Sequence, residues 1–257
     1  MMVGLQGAAM LVPGVLRVGA LRVPVFGLFA AVGLIAAIWL SQRTAVMAGV
    51  SADKLWDAGM FAVVAAFVAS RALLVLMDVR AFMAYPLLVL SLPSLTYGGM
   101  VLTGLLVWLY LRWKKMPLLA VMDAWAPCAM LLWAVLSLGH FVEGTDAGMP
   151  TRLPWGVRTV GDSVMGRVHP VQLYAMVAAM VLCGVLIRIL MRAHRVGGVA
   201  SVGLMAGGAA SFLLDMLRQP LESQGGLVLD PVQFVALGAM IAGAAMMVAD
   251  ASLVVSG

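Results

Sequence analysis

Charge is what this sequence has least of. Of its 257 residues, 11% are charged and 64% hydrophobic, whereas a soluble domain carries about 25% charged residues. Water therefore cannot be the solvent for most of the surface, and with a mean hydropathy of +1.08 the chain reads as an integral membrane protein. Cysteine is scarce as well. Cys128 and Cys183, the only 2, fall inside separate apolar runs, which excludes a spaced disulfide framework and leaves two small buried hydrophobes. No further His or Cys stands at ligand spacing from His140 and Glu143, so a metal centre is not expected. Basic runs interleaved with aromatics are missing too. The net charge of +5 thus points to anionic lipid headgroups or to ordinary loop bias, and not to nucleic acid.

Long apolar sequence is what the chain has in excess. A spanning helix needs about 20 mostly apolar residues, and seven runs answer to that, near 23–40, 57–77, 96–111, 120–139, 171–190, 199–216 and 232–248. The expected fold is all-α, a single polytopic membrane domain over residues 1–257 with seven transmembrane helices. Residues 1–22, with Pro13, several glycines and no charged start, read as an interfacial lead-in rather than a signal peptide. The run at 82–93 is too short to cross and is broken by Pro86 and Pro93, which suits a re-entrant or interfacial segment. The longest polar stretch, 140–169, is expected to form a small extracytoplasmic head. Lys and Arg at 43, 54, 112, 114, 115, 188, 192 and 195 concentrate on the short connections of one side, placing the N-terminus outside and the C-terminus inside. Trp108, Tyr110 and Trp113 form an aromatic belt at that inner face, where Asp123, opening the fourth span, reads as a helix N-terminal dipole partner. Gly99 with Thr103, Gly203 with Gly207 and Gly207 with Ser211 are spaced for close helix packing. No inverted repeat of the transporter kind is present.

Charges within a bilayer cost a few kcal/mol each, so the exceptions carry information. Arg71, in "FVASRALLVL", lies toward the outer end of the second span. It either snorkels, pairs with Asp215, or faces a bound anion. Asp215 and Arg218, in "DMLRQPLES", are three apart at the outer end of the sixth span, before Pro220; the spacing permits an intrahelical ion pair. Together, Arg71 and Arg218 form a possible two-arginine clamp for phosphate oxygens. In "RVHPVQLYA", Pro170 suits a first helical turn, which puts His169 at or near the N-cap of the fifth span. There the helix dipole attracts anions and disfavours imidazolium, leaving a neutral base or donor. Gln172 and Tyr174 reach from the same turn on different faces, and a capping histidine with a belt tyrosine is the plainer reading. His140 and Glu143, three apart at the end of the fourth span, read as a base with its orienting carboxylate. All these residues fall toward one side of the membrane, and a phospholipid headgroup site is their simplest common purpose.

With those residues in view, the chain resembles the prolipoprotein diacylglyceryl transferase family of bacterial inner membranes from about residue 21 to 248. "FGLFAAVG" at 26–33 is similar to the family's "YGLMYLVG", "ASRALLVL" to "GGRLGYVL" with Arg71 at the arginine, and "YGGMVLTG" at 97–104 to "HGGLIG". "DAWAP" is similar to "DLIAP", "LGHFVEGTDAG" to "RIGNFINGELWG", "LPW" to "YPW", "VHPVQLYA" to "RHPSQLYE", and "FLLDMLRQP" to "FIVEFFRQPD". The resemblance implies seven spans with an outside N-terminus. It implies a reaction in which the diacylglyceryl group of phosphatidylglycerol passes to the thiol of the lipobox cysteine in a prolipoprotein signal peptide, without metal or cofactor. It places Arg71, Arg218, Gly98, Gly99, Gln172 and Tyr174 on phosphatidylglycerol, His169, His140 and Tyr97 in catalysis, and Glu143, Gly144, Gly148 and Asp215 in support. The chain departs from the family's pattern at Phe26 (tyrosine), Tyr97 (histidine), Ser137 (arginine), His140 and Glu143 (asparagines), Thr145 (glutamate), Val168 (arginine) and Ser211 (arginine). These replacements leave His140 or His169 as the base, or else a noncatalytic lipid- or lipoprotein-binding paralogue on the same fold.

Overall fold

The computed structural model describes residues 15–18, 21–84, 97–145, 148–158, 167–218 and 230–255. Most of the lead-in expected over 1–22, the Pro86 and Pro93 breaks, Pro220 and the Tyr97 side chain lie outside them. A hairpin, β1 (Val15–Val18) and β2 (Leu21–Pro24), runs straight into α1 (Val25–Met47). Then follow α2 (Ala52–Met77), the short α3 (Val79–Ala84), α4 (Tyr97–Trp113) and α5 (Leu118–Glu143). Three two-residue strands, β3 (Pro150–Thr151), β4 (Val157–Arg158) and β5 (Arg167–Val168), precede α6 (Val171–Leu190), α7 (Gly198–Asp215) and α8 (Pro231–Val255). Each apolar run recognised in the sequence falls on a helix. Six described helices are long and apolar enough to cross a membrane, and Gly98–Trp113 is a shorter apolar one. The all-α expectation fits these helices, while short strands occupy the N-terminal hairpin and part of the polar stretch after α5. There β5 is central, pairing antiparallel with β3 and β4.

Helix packing follows the small residues. α1 lies along α5, α5 along α6, and α7 along α8, with α2 against α4. A Cβ on Gly208 would stand 2.7 Å from the Ala236 carbonyl oxygen, and one on Gly243 2.7 Å from that of Ser201, so α7 and α8 touch backbone to backbone. Gly207, expected at a helix contact, meets Met130 of α5. The apolar clusters gather at one end of the bundle. Ala45, Val50, Leu55, Leu111, Met116 and Val121 form one, and Leu186, Leu190 and Val199 another. Two helices end there in the same way. After α1, Gly49 (φ 70) lets the Val50 N–H reach Ala45 O at 2.9 Å; after α4, Lys115 (φ 52) lets Met116 N–H reach Leu111 O at 2.9 Å. In both, a left-handed residue closes the last turn and buries the following hydrophobe against the helix.

At this same end the structure corrects one expectation in detail. Asp123 does serve a helix N-terminus, but that of α7 rather than its own. Its Oδ2 accepts the Gly197 N–H at 2.6 Å and its Oδ1 the Ala200 N–H at 2.7 Å. Gly197, at φ 91, is the N-cap and offers no side chain to do this itself. His194 Nε2 stands 3.9 Å from the same carboxylate. The partners are more than 70 residues apart in sequence, beyond the reach of any spacing argument.

Candidate functional site

The polar residues singled out in the sequence gather at the opposite end, where α1 and α6 begin and α5 and α7 finish. α5 stops at Gly144, whose φ of 76 costs a Cβ-free residue little. The chain turns back so that Thr145 N–H donates to His140 O at 3.2 Å, and the Thr145 hydroxyl arrives 2.9 Å from His140 Nδ1. The His140 ring lies against Phe26 of α1, centroids 4.4 Å apart. Gly139 allows this approach, since a Cβ there would come within 2.8 Å of the Phe29 Cβ. The orienting partner of His140 is therefore Thr145. No hydrogen bond or ion pair joins His140 to Glu143 among the described residues, contrary to the pairing their spacing suggested.

Thr145 also holds the next element. Its carbonyl accepts the side-chain amide of Gln172, which is buried in the first turn of α6. That buried amide ties the end of α5 to the start of α6. α6 itself begins at Val171, where the fifth apolar run was expected to start: Pro170, at φ −78 and ψ 67, is the N-cap, and His169 sits next to it. The His169 backbone is engaged outside the helix, its N–H donating to Met149 O at 3.0 Å. On its other side Met149 N–H donates to Leu217 O at 2.8 Å, and Gly148 pairs antiparallel with Arg218. Residues 148 and 149 thus form a strip with Leu217–Arg218 on one edge and His169 on the other. Gly148 is required there, because a Cβ would strike the His169 carbonyl and stand 2.8 Å from Val171 Cγ2.

On this strip the side chains carry unused polar capacity. His169 Nδ1 and Arg218 Nε are buried without a hydrogen-bond partner among the described residues, a state that costs about 1–3 kcal/mol per group unless something fills it. Arg218 reaches Asp215, but only at 3.9 Å, so the expected ion pair is present and loose. The His169 ring meets Tyr174 edge-on, centroids 6.2 Å apart, and Tyr174 accepts the Trp155 indole N–H at 2.7 Å. Gln172 and Tyr174 do face different ways, one to Thr145 and one to the strand region.

Arg71 belongs to a second group. Its guanidinium carbon lies 5.2 Å from the Phe67 ring centroid, and its Nε is buried without a partner among the described residues. Gly98, at the start of α4, faces Leu73 of the same helix as Arg71, with 3.5 Å from a built Cβ to Leu73 Cδ1, and Gly99 is buried beside it. No hydrogen bond or ion pair among the described residues links Arg71 to Asp215, which pairs instead with Arg218. Thr145, Trp155 and Phe26 take their roles only in three dimensions, although the resemblance to the family had already touched all three positions.

A family model described as prolipoprotein diacylglyceryl transferase matches residues 13–249. Curated relatives named phosphatidylglycerol–prolipoprotein diacylglyceryl transferase include one from Gloeobacter violaceus, 28% identical over 90% of each chain. Another, from Clostridium tetani, is 23% identical over 87% of this chain and 91% of its own. A third, from Corynebacterium efficiens, is 29% identical over 68% of this chain, and the match spans 61% of that relative's length.

Proposed function

Since the chain belongs to the prolipoprotein diacylglyceryl transferase family, we propose that it transfers the diacylglyceryl group of phosphatidylglycerol to the cysteine thiol of a lipobox in a prolipoprotein signal peptide. In that reaction the thiol proton passes to a base, the thiolate sulfur bonds to the glyceryl carbon, and the bond from that carbon to the phosphate oxygen breaks. Glycerol phosphate leaves. The step needs a base near the thiol and donors on the departing phosphate.

The observation that carries this reading is the strip at Gly148–Met149. It sets Arg218 and His169 on facing edges, each with a buried nitrogen lacking a partner among the described residues. An anionic headgroup supplies the acceptor Arg218 lacks, and a thiol presented to the His169 imidazole supplies its proton. His140, oriented by Thr145 and backed by Phe26, is the second base candidate. Arg71, on α2, serves the same lipid from the α2–α4 side with Gly98, Gly99 and Tyr97. Gln172 and Gly144 hold the geometry, Asp215 restrains Arg218, and Glu143 lies at the rim. The alternative of a silent lipid-binding paralogue is disfavoured by relatives that bear the transferase name along nearly their whole length.

The protein is a multi-pass protein of the bacterial inner membrane in this reading. It crosses seven times, with its N-terminus outside, its C-terminus inside and the 140–169 segment as a small head over the outer leaflet. Purified protein mixed with phosphatidylglycerol and a lipobox peptide is expected to give a peptide whose mass rises by one diacylglyceryl group on the cysteine. If that adduct never forms while the lipid is bound, the transferase reading is wrong.

A further inference from the structure

Trp155 was no candidate in the sequence, yet its surroundings are built with care. Thr151 Oγ1 accepts the Leu153 N–H at 3.2 Å, Leu153 O accepts the Gly156 N–H at 3.0 Å, and Arg167 Nη1 donates to Pro154 O at 3.1 Å. The Leu153–Gly156 turn is thereby fastened to β5, and Gly156 fits so closely that a Cβ would come within 2.8 Å of both Arg167 Cβ and Thr151 Cγ2. The turn holds Trp155 out over α6, where 57% of it is exposed. An indole so exposed gains little from burial, but its Nε1–H donates to the Tyr174 hydroxyl oxygen at 2.7 Å.

The direction of that bond has a consequence. Indole N–H is a donor only, whereas a phenol has one proton and two lone pairs. With Trp155 on a lone pair, the Tyr174 proton must go elsewhere, and it meets no acceptor among the described residues. Tyr174 stands edge-on to His169, whose Nδ1 is also without a partner there. We propose that Trp155 is a positioning residue that fixes Tyr174 as a hydrogen-bond donor to an oxygen of the lipid's glycerophosphate headgroup. This rests on the transferase reading above. Trp155 itself takes no part in bond making; it sets where the Tyr174 oxygen lies and which way its proton points.

The test is steady-state turnover of phosphatidylglycerol, with lipid binding measured in parallel, for wild type, Trp155→Phe, Tyr174→Phe and the double variant. Phenylalanine at 174 removes only the hydroxyl; at 155 it keeps an aromatic ring, smaller than the indole, and removes the N–H. A neutral hydrogen bond corresponds to about a fivefold effect, so each single variant is expected to raise KM for the lipid about three- to tenfold with kcat little changed. The double variant is expected to be no worse than the worse single one, because both remove the same bond. A purely structural Trp155 would lower kcat through lost active protein and leave KM alone; that result, or additive effects in the double variant, overturns the proposal. Should Trp155→Phe fail to fold, Tyr174→Phe reads the same contact by itself, and an unchanged KM there is equally fatal. If wild type turns over no lipid, the transferase reading fails separately, and the binding arm decides: equal phosphatidylglycerol affinity in all four proteins overturns the role of Trp155.

Discussion

Asp123 of α5, which caps the start of α7, and Arg218, three residues past the end of α7, behave in opposite ways. Asp123 is 1% exposed and saturated, its two carboxylate oxygens each accepting a backbone N–H at the start of the helix. Its work is structural. Asp123→Ala leaves the Gly197 and Ala200 N–H groups without their acceptor and is expected to lower stability by about 2 kcal/mol, seen as a lower Tm in detergent, with turnover near wild type well below that Tm. Arg218 is unsaturated: one long contact to Asp215 and a buried Nε with no described partner. Arg218→Gln keeps a polar amide on a shorter stem while losing the charge on the departing phosphate. It is expected to lower kcat/KM by roughly a hundredfold with little change in Tm, and an activity within twofold of wild type removes Arg218 from the site.

At the scale of elements, the site depends on how helices stop rather than on which side chains they carry. Gly144 ends α5 in the left-handed region and so brings the Thr145 hydroxyl back to His140 and the Thr145 carbonyl to Gln172. Gly144→Ala asks an L-residue to hold φ 76, at a cost of about 1 kcal/mol, and loosens both contacts. Turnover is expected to fall more than the Tm shift explains. Gly148→Ala is the harsher change, since its Cβ meets the His169 carbonyl. The strip must part from Leu217 or from His169, and the expected result is loss of at least tenfold in turnover in membranes where the protein still accumulates. Wild-type activity in Gly148→Ala removes the strip as the element that holds the site.

Across the whole molecule, helices that alternate in direction send apolar clusters and basic connections to one end and the polar cluster to the other. With Cys128 and Cys183 buried, the native chain is expected to resist a membrane-impermeant maleimide, which makes single added cysteines readable. Thr151→Cys, in β3, is expected to be labelled from outside intact spheroplasts and Lys114→Cys, after α4, only once they are opened. The reverse pattern inverts the proposed orientation. Hydropathy alone located the apolar helices, because a lipid-facing helix must be apolar along its length whatever it packs against, although α1 and α8 run on to Met47 and Val255 where the runs stopped at 40 and 248. It also marked His140, His169, Arg71 and Arg218 as costly exceptions. Which residues meet was another matter. The pairing of Asp123 with Gly197, of His140 with Thr145 instead of Glu143, and of Trp155 with Tyr174 joins segments through turns and strand bridges. Periodicity along one helix reports only which way a side chain points, so the partner waiting there was decided by tertiary packing alone.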